Sequence, residues 1–161
     1  MAVDIYCKIE GIEGESSDAK HDKWIELDNY TVDVSQPVSG ESRTGGRSAG
    51  KADFKEFVIK KTVDKSTPDL HISCANGKHI PKVEVECCLT TEDKHVFMKY
   101  TLENVIVSRI TSGGAHDETR PAETVSFRYG KIKWEYTPID HTGKPGAKVD
   151  RTWDIEKNQK A

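Results

Sequence analysis

The sequence predicts a mainly β fold: a closed or nearly closed barrel of bent antiparallel strands with one short α-helix. Three observations lead there. Apolar residues recur with period two along most of the chain, three of the resulting strands change parity once, and one segment carries helix start and stop signals. A parity change needs one extra residue to keep a single face buried, which a β-bulge supplies while bending the strand. Long bent strands curl until the sheet meets itself, and that closure removes exposed edges.

The elements follow in order. Gly11 to Lys23 is a turn-rich connection. In the next strand Ile25 and Leu27 share one parity and Tyr30, Val32 and Val34 the other, which puts an extra residue at Asp28-Asn29. Residues 35–53 form an extended glycine-rich loop, longer than the two to five residues usual for a hairpin. Phe57-Val58-Ile59 reads as strand. Ser66 to Gly77 reads as the helix: Ser66 as N-cap, Pro68 and Asp69 in the first turn, Leu70, Cys74 and Ile72 as apolar contacts, and Asn76-Gly77 as a left-handed stop. Val83, Val85, Cys87 and Leu89 then alternate with Lys82, Glu84, Glu86 and Cys88, giving one buried and one wet face. Met98, Tyr100 and Leu102 give way to Val105 and Val107 at Glu103-Asn104; Val125, Phe127 and Tyr129 give way to Ile132, Trp134 and Tyr136 at Gly130-Lys131. Ser112 to Ala122 and His141 to Ala147 are further turn-rich connections, and the tail 156–161 is expected to fray. The aromatic residues Trp24, Phe57, Phe97, Trp134 and Trp153 fall mostly on buried parity and read as core.

Length and charge bound the function. At 161 residues the chain fits one domain, 1–161. Its 24 Lys+Arg against 27 Asp+Glu give a net charge of -3, which disfavours nucleic acid and anionic lipid as partners. No apolar run exceeds three residues, so neither a transmembrane helix nor a signal peptide is expected; the chain folds in the cytoplasm, and any export uses a machine that reads no N-terminal signal. Cys7, Cys74, Cys87 and Cys88 contain no CxxC pair and read as reduced thiols.

Chemical motifs are weak. Gly45 to Ala52 matches the phosphate-binding pattern GxxxxGK, but Ala52 lacks the final hydroxyl and a strand, not a helix, follows. His71, Cys74 and His79 are too few for a structural zinc site. No framework sets a nucleophile beside a base. The expectation is therefore no catalytic residues, no metal and no cofactor; a monomeric ligand-binding barrel or an uncharacterised hydrolase is the alternative.

Several segments together resemble the Hcp (hemolysin-coregulated protein) family: Met1-Ala2-Val3-Asp4-Ile5, Gly14-Glu15-Ser16, Asp64-Lys65-Ser66-Thr67-Pro68, Gly77-Lys78-His79, Tyr100-Thr101-Leu102-Glu103-Asn104-Val105 and Glu123-Thr124-Val125-Ser126-Phe127. The resemblance runs along almost the whole chain. It implies a barrel that forms hexameric rings, rings stacked into the inner tube of the type VI secretion system, a spike protein (VgrG) at the tip, a contractile sheath outside and effector proteins in the lumen. Within that frame, Arg43, Gly45, Gly46, Arg47, Gly50 and Lys51 make the 35–53 loop adaptable and positive, suited to stacking against an acidic neighbour. Thr31 and Asp33, on the wet parity of their strand, form a candidate lumen face with Lys55.

Overall fold

The computed structural model describes residues 2–39 and 46–161. Among these described residues, thirteen strands and one helix follow in chain order: β1 (Val3–Ile9), β2 (Ile25–Leu27), β3 (Asn29–Thr31), β4 (Val34–Ser35), β5 (Val38–Ser39), β6 (Ser48–Ala49), β7 (Asp53–Phe54), β8 (Phe57–Thr62), α1 (Thr67–Asn76), β9 (His79–Leu89), β10 (Val96–Gly113), β11 (Ala122–Tyr136), β12 (Val149–Asp154) and β13 (Gln159–Lys160).

The barrel wall runs β1–β9–β10–β11–β8–β3 and β1–β2, every pairing antiparallel. Asp28 is its seam. β2 pairs with β1 while β3, one residue later, pairs with β8, so the parity change at Asp28-Asn29 marks a corner where the chain passes from one wall to the next. This makes the barrel nearly closed. Its interior is filled by residues such as Ile25, Phe57, Leu102, Val125, Phe127 and Ile132, all fully buried, each worth roughly 1.5–3 kcal/mol of transfer free energy.

The other two parity changes are real, with a different cause from the expected bulges. Leu102 and Val105 are both buried, as are Tyr129 and Ile132. Yet the register is the same on both sides, from Glu103↔Lys131 to Val105↔Tyr129. Asn104, at φ 53°, lies level with Gly130, so the two irregularities cancel and both strands bend together without slipping. The register shifts occur elsewhere, between Val107 and Arg109 against β11 and between Val96 and Met98 against β9.

The helix matches its signals. Pro68 sits in the first turn, and Gly77 closes the end at φ 64° with its N–H returning to the Ser73 carbonyl. Ser66 makes no side-chain cap bond; instead the Asp64 carboxylate accepts from the Ser66 N–H at 2.9 Å. Leu70 is fully buried, whereas Ile72 is 61% exposed, two positions along and on the other side of the helix.

Four expectations need correction. The described residues of the 35–53 loop instead form an arm of two short ribbons, β4 with β7 and β5 with β6, with registers Val34↔Phe54 and Val38↔Ala49. Val34 lies on this arm and is 49% exposed instead of core. The 156–161 tail turns back through Asn158 (φ 52°) and pairs as β13 with β12. Finally, Cys88 is fully buried on the face expected to be wet, because the Gly11–Lys23 connection folds over it. Of the aromatic residues, Phe57 is core, while Trp24, Phe97, Trp134 and Trp153 are half-buried.

Candidate functional site

The arm and its root carry most of the residues singled out from sequence. Its root is fixed to the wall. The Lys55 N–H donates to the Asp33 carbonyl at 3.0 Å, and the Tyr129 hydroxyl donates to the Lys55 carbonyl at 2.9 Å. Burial, with a smaller contribution from Asp33, pushes the Tyr129 hydroxyl up to about 12, so it stays a neutral donor. Farther out, the Gly50 N–H donates to the Pro37 carbonyl at 3.0 Å, and a side chain at Gly50 would press on the Pro37 ring. The Ser39 and Ser48 hydroxyls bond across the ribbon at 2.6 Å. Gly46, Arg47 and Lys51 are exposed. Arg43 and Gly45 lie outside the described residues.

Beneath the arm is an apolar hollow of about 550 Å³ lined by Val34, Ala52, Phe54, Trp134 and Trp153, with Arg151 and Lys160 at its margin. The Phe54 ring lies 6.4 Å from both indoles. Val34, Val38 and Val149 nearby are about half exposed. The arm therefore presents cations on an apolar base.

Of the candidate lumen residues, Thr31 pairs with Val58 in the wall, while Asp33 and Lys55 meet at the arm root. All three are exposed. Lys55 Nζ pairs with Asp53 at 2.6 Å, which raises its pKa above the ordinary lysine value.

Two polar clusters, unforeseen as clusters, lie elsewhere. The first ties the helix to the wall. Lys61 and Glu123 are cross-strand neighbours, fully buried, with Nζ 2.6 Å from Oε2. Asp64 adds a second carboxylate to Lys61 at 2.9 Å, and Thr67 and Ser112 each donate to Glu123 at 2.8 Å. Burial opposes ionisation of Glu123, but these hydrogen bonds and the Lys61 charge outweigh it and hold the carboxyl below its usual range. The second cluster lies under the Gly11–Lys23 connection. His21, 1% exposed, stacks on Tyr6 at 4.2 Å and contacts Asp18 with Nδ1 (2.8 Å) and Glu86 with Nε2 (2.7 Å). Lys94 bridges Asp18 and Asp4, and Lys99 bridges Glu84 and Glu86. Hydrogen bonds from Lys94 and then His21 hold the Asp18 carboxyl at about 2.

His71 and His79 engage separate partners, the Thr67 carbonyl and Asn104, and do not form a cluster with Cys74. The described part of the phosphate-loop match, Gly46 to Ala52, falls on β6 and the approach to β7, and the strands β7 and β8 follow it.

The family profile described as "Type VI secretion system effector, Hcp" matches residues 6–136. The chain belongs to the Hcp family. It is 34% identical over 163 aligned residues to Protein hcp1 of Pseudomonas aeruginosa, with both chains covered in full. Among solved structures, a type six secretion system protein aligns at TM-score 0.95 and 34% identity, over 99% of this chain and 100% of that one. Hcp1 of Salmonella typhimurium aligns at 0.82 and 30% identity over the whole of both chains, and a type VI secretion system effector from Yersinia pestis at 0.73 and 28% over 94% and 99%. This Hcp-family chain is thus a type VI secretion protein of mostly β structure. Among its described residues, no helix is long and apolar enough to cross a membrane.

Proposed function

We propose that the chain is a single-domain structural subunit, without catalytic activity, that forms hexameric rings which stack into the inner tube of the type VI secretion system. The rings assemble in the cytoplasm inside a contractile sheath, with VgrG at the tip. They carry effector proteins in the lumen and leave the cell by secretion. The observation that carries this reading is the arm: a ribbon anchored at its root through Lys55 and Tyr129, raising Arg47 and Lys51 above an uncovered apolar hollow. A projecting, partly apolar surface of this kind suits a neighbour. Head-to-tail contacts close into rings where the rotation allows, and a second heterologous contact repeats rings into a tube. The side-chain-filled barrel interior speaks against the monomeric ligand-binding alternative.

Light scattering on the purified chain tests the ring. Six copies of the 18.0 kDa chain give about 108 kDa, and negative-stain microscopy should show annular particles. Monomer alone at micromolar and higher concentration would overturn the proposal.

A further inference from the structure

Away from the arm, His21, Glu86 and Cys88 form a group that the assembly reading leaves unused. Their ligand atoms lie within 4.8 Å of one another, and both His21 and Cys88 are buried. Glu86 and Cys88 are two residues apart on β9 and so project from the same face of a paired strand. His21 comes down onto them from the Gly11–Lys23 connection, held by its stacking on Tyr6 and by the edge of Trp24 at 4.8 Å.

We propose that His21 Nε2, Glu86 Oε2 and Cys88 Sγ bind one divalent cation of zinc type, with water as the fourth ligand. One imidazole, one carboxylate and one thiolate is a mixed N/O/S donor set that suits a borderline-soft cation and not magnesium or calcium. The surroundings match the outer shell of such sites. Nδ1 of His21 faces the Asp18 carboxylate at 2.8 Å, the carboxylate–histidine arrangement that orients a metal-binding ring and leaves the other nitrogen free to coordinate. Asp18 is itself fixed by Lys94 at 2.8 Å. Glu86 is steadied at 3.3 Å by Lys99 through Oε1, the oxygen that is not turned to His21.

The distances need adjustment, since the three ligand atoms spread over as much as 4.8 Å. Tetrahedral bonds of 2.0–2.3 Å set ligand atoms roughly 3.3–3.6 Å apart. Sγ and Nε2 already stand at 3.7 Å, whereas Nε2 and Oε2 are hydrogen-bonded at 2.7 Å and must part by about half an ångström. Binding displaces the thiol proton of Cys88 and any proton on Nε2 to solvent, since the ligands coordinate as thiolate and neutral imidazole. The cation then pins the Gly11–Lys23 connection to β9.

The test uses the full-length chain, titrated with Co²⁺ as a spectroscopic probe and with Zn²⁺ in competition. The expected result is one ion per chain, a cobalt–thiolate charge-transfer band, displacement by Zn²⁺ and a rise in Tm. Cys88→Ser should abolish the band and weaken binding at least ten-fold; Glu86→Gln should weaken it while keeping the band. Asp18→Asn should cost about ten-fold with the band intact. Cys74→Ser, at a half-buried thiol on the helix, should change nothing. Absence of stoichiometric binding in the unaltered chain, or a band that survives Cys88→Ser, would overturn the proposal. Both readouts are independent of ring formation, so failure here leaves the tube reading untouched.

Discussion

Two charged side chains on the core-facing parity of their strands show what a single residue can decide. Lys61 shares parity with Phe57 and Ile59, and Glu123 with Val125 and Phe127; the signal was legible as two opposite charges at positions where apolar residues belong, although only the register sets them face to face. Removing one partner strands the other in the interior, so Lys61→Met should cost about 3–5 kcal/mol, read as a fall in the urea midpoint. The double replacement Lys61→Met with Glu123→Leu should recover most of it. A single mutant within about 1 kcal/mol of the parent would show that water reaches the site. Two carboxylates, Glu123 here and Asp18 beside His21, set the acid limit. Asp18 and Glu123 both have folded pKa values below their unfolded ones, so their stabilisation is complete above the ordinary carboxylate range and is lost as pH falls through the folded values, for Asp18 about 2. Urea midpoints should therefore drop between about pH 5 and pH 2, and less so in Asp18→Asn than in the parent; equal losses would remove Asp18 from the account. The Gly14-Glu15-Ser16 motif has a local reason too. Gly14 and Ser16 N–H groups donate to the Lys23 and Trp24 carbonyls at 2.8 and 3.0 Å, and a side chain at Gly14 would strike the Trp24–Ile25 backbone.

Elements were legible where their signals are local and less so where pairing decides. The helix was readable because Pro68 and Gly77 act within a few residues of themselves. Its hold on the barrel rests on Leu70 and the Lys61–Glu123 cluster, so Leu70→Ala should cost about 2–5 kcal/mol in urea unfolding and open the Thr67–Asn76 segment to limited proteolysis. Unchanged protease resistance would assign the helix's attachment to the polar cluster alone. The parity changes were visible in sequence, but their meaning was not. Asp28 is a corner and Asn104 with Gly130 is a matched pair of bends, distinctions that depend on which strand lies alongside. The arm was misread as loop because ribbons two residues long, with exposed Val34 and Val38, carry too little alternation to register as strand. β13 escaped for the same reason, being two residues in a polar tail. His21, Glu86 and Cys88 were missed as a group because 65 residues separate the first from the second, and only the folded connection brings them together.

At the scale of the whole molecule, the arm and the wall make separable demands on assembly. If the exposed face around Thr31 lines the lumen, replacing Thr31 with a bulky charged residue should leave rings intact and weaken at least one cargo, measured by co-purification; undiminished binding of every tested cargo would place that face elsewhere. Stacking is expected to rest on the arm, whose cations rise from a chain of net charge -3. Arg47 and Lys51 are exposed, and Lys55 at the root is already paired with Asp53, so the outer cations are the ones available to an acidic partner surface. Each such rim contact contributes about 0.2–1 kcal/mol, too little to hold two proteins together alone. The proposed ring would present six copies at once, and contacts that are individually weak would then act together. Reversing Arg43 and Arg47 to Glu should therefore reduce tube formation and secretion steeply while hexamers persist by light scattering. Salt should deepen the defect by screening the attraction that Lys51 still supplies. A double mutant that forms tubes and is secreted at the parental level would move stacking to the apolar hollow beneath the arm, where Phe54, Trp134 and Trp153 offer contact area that charge reversal leaves unaltered.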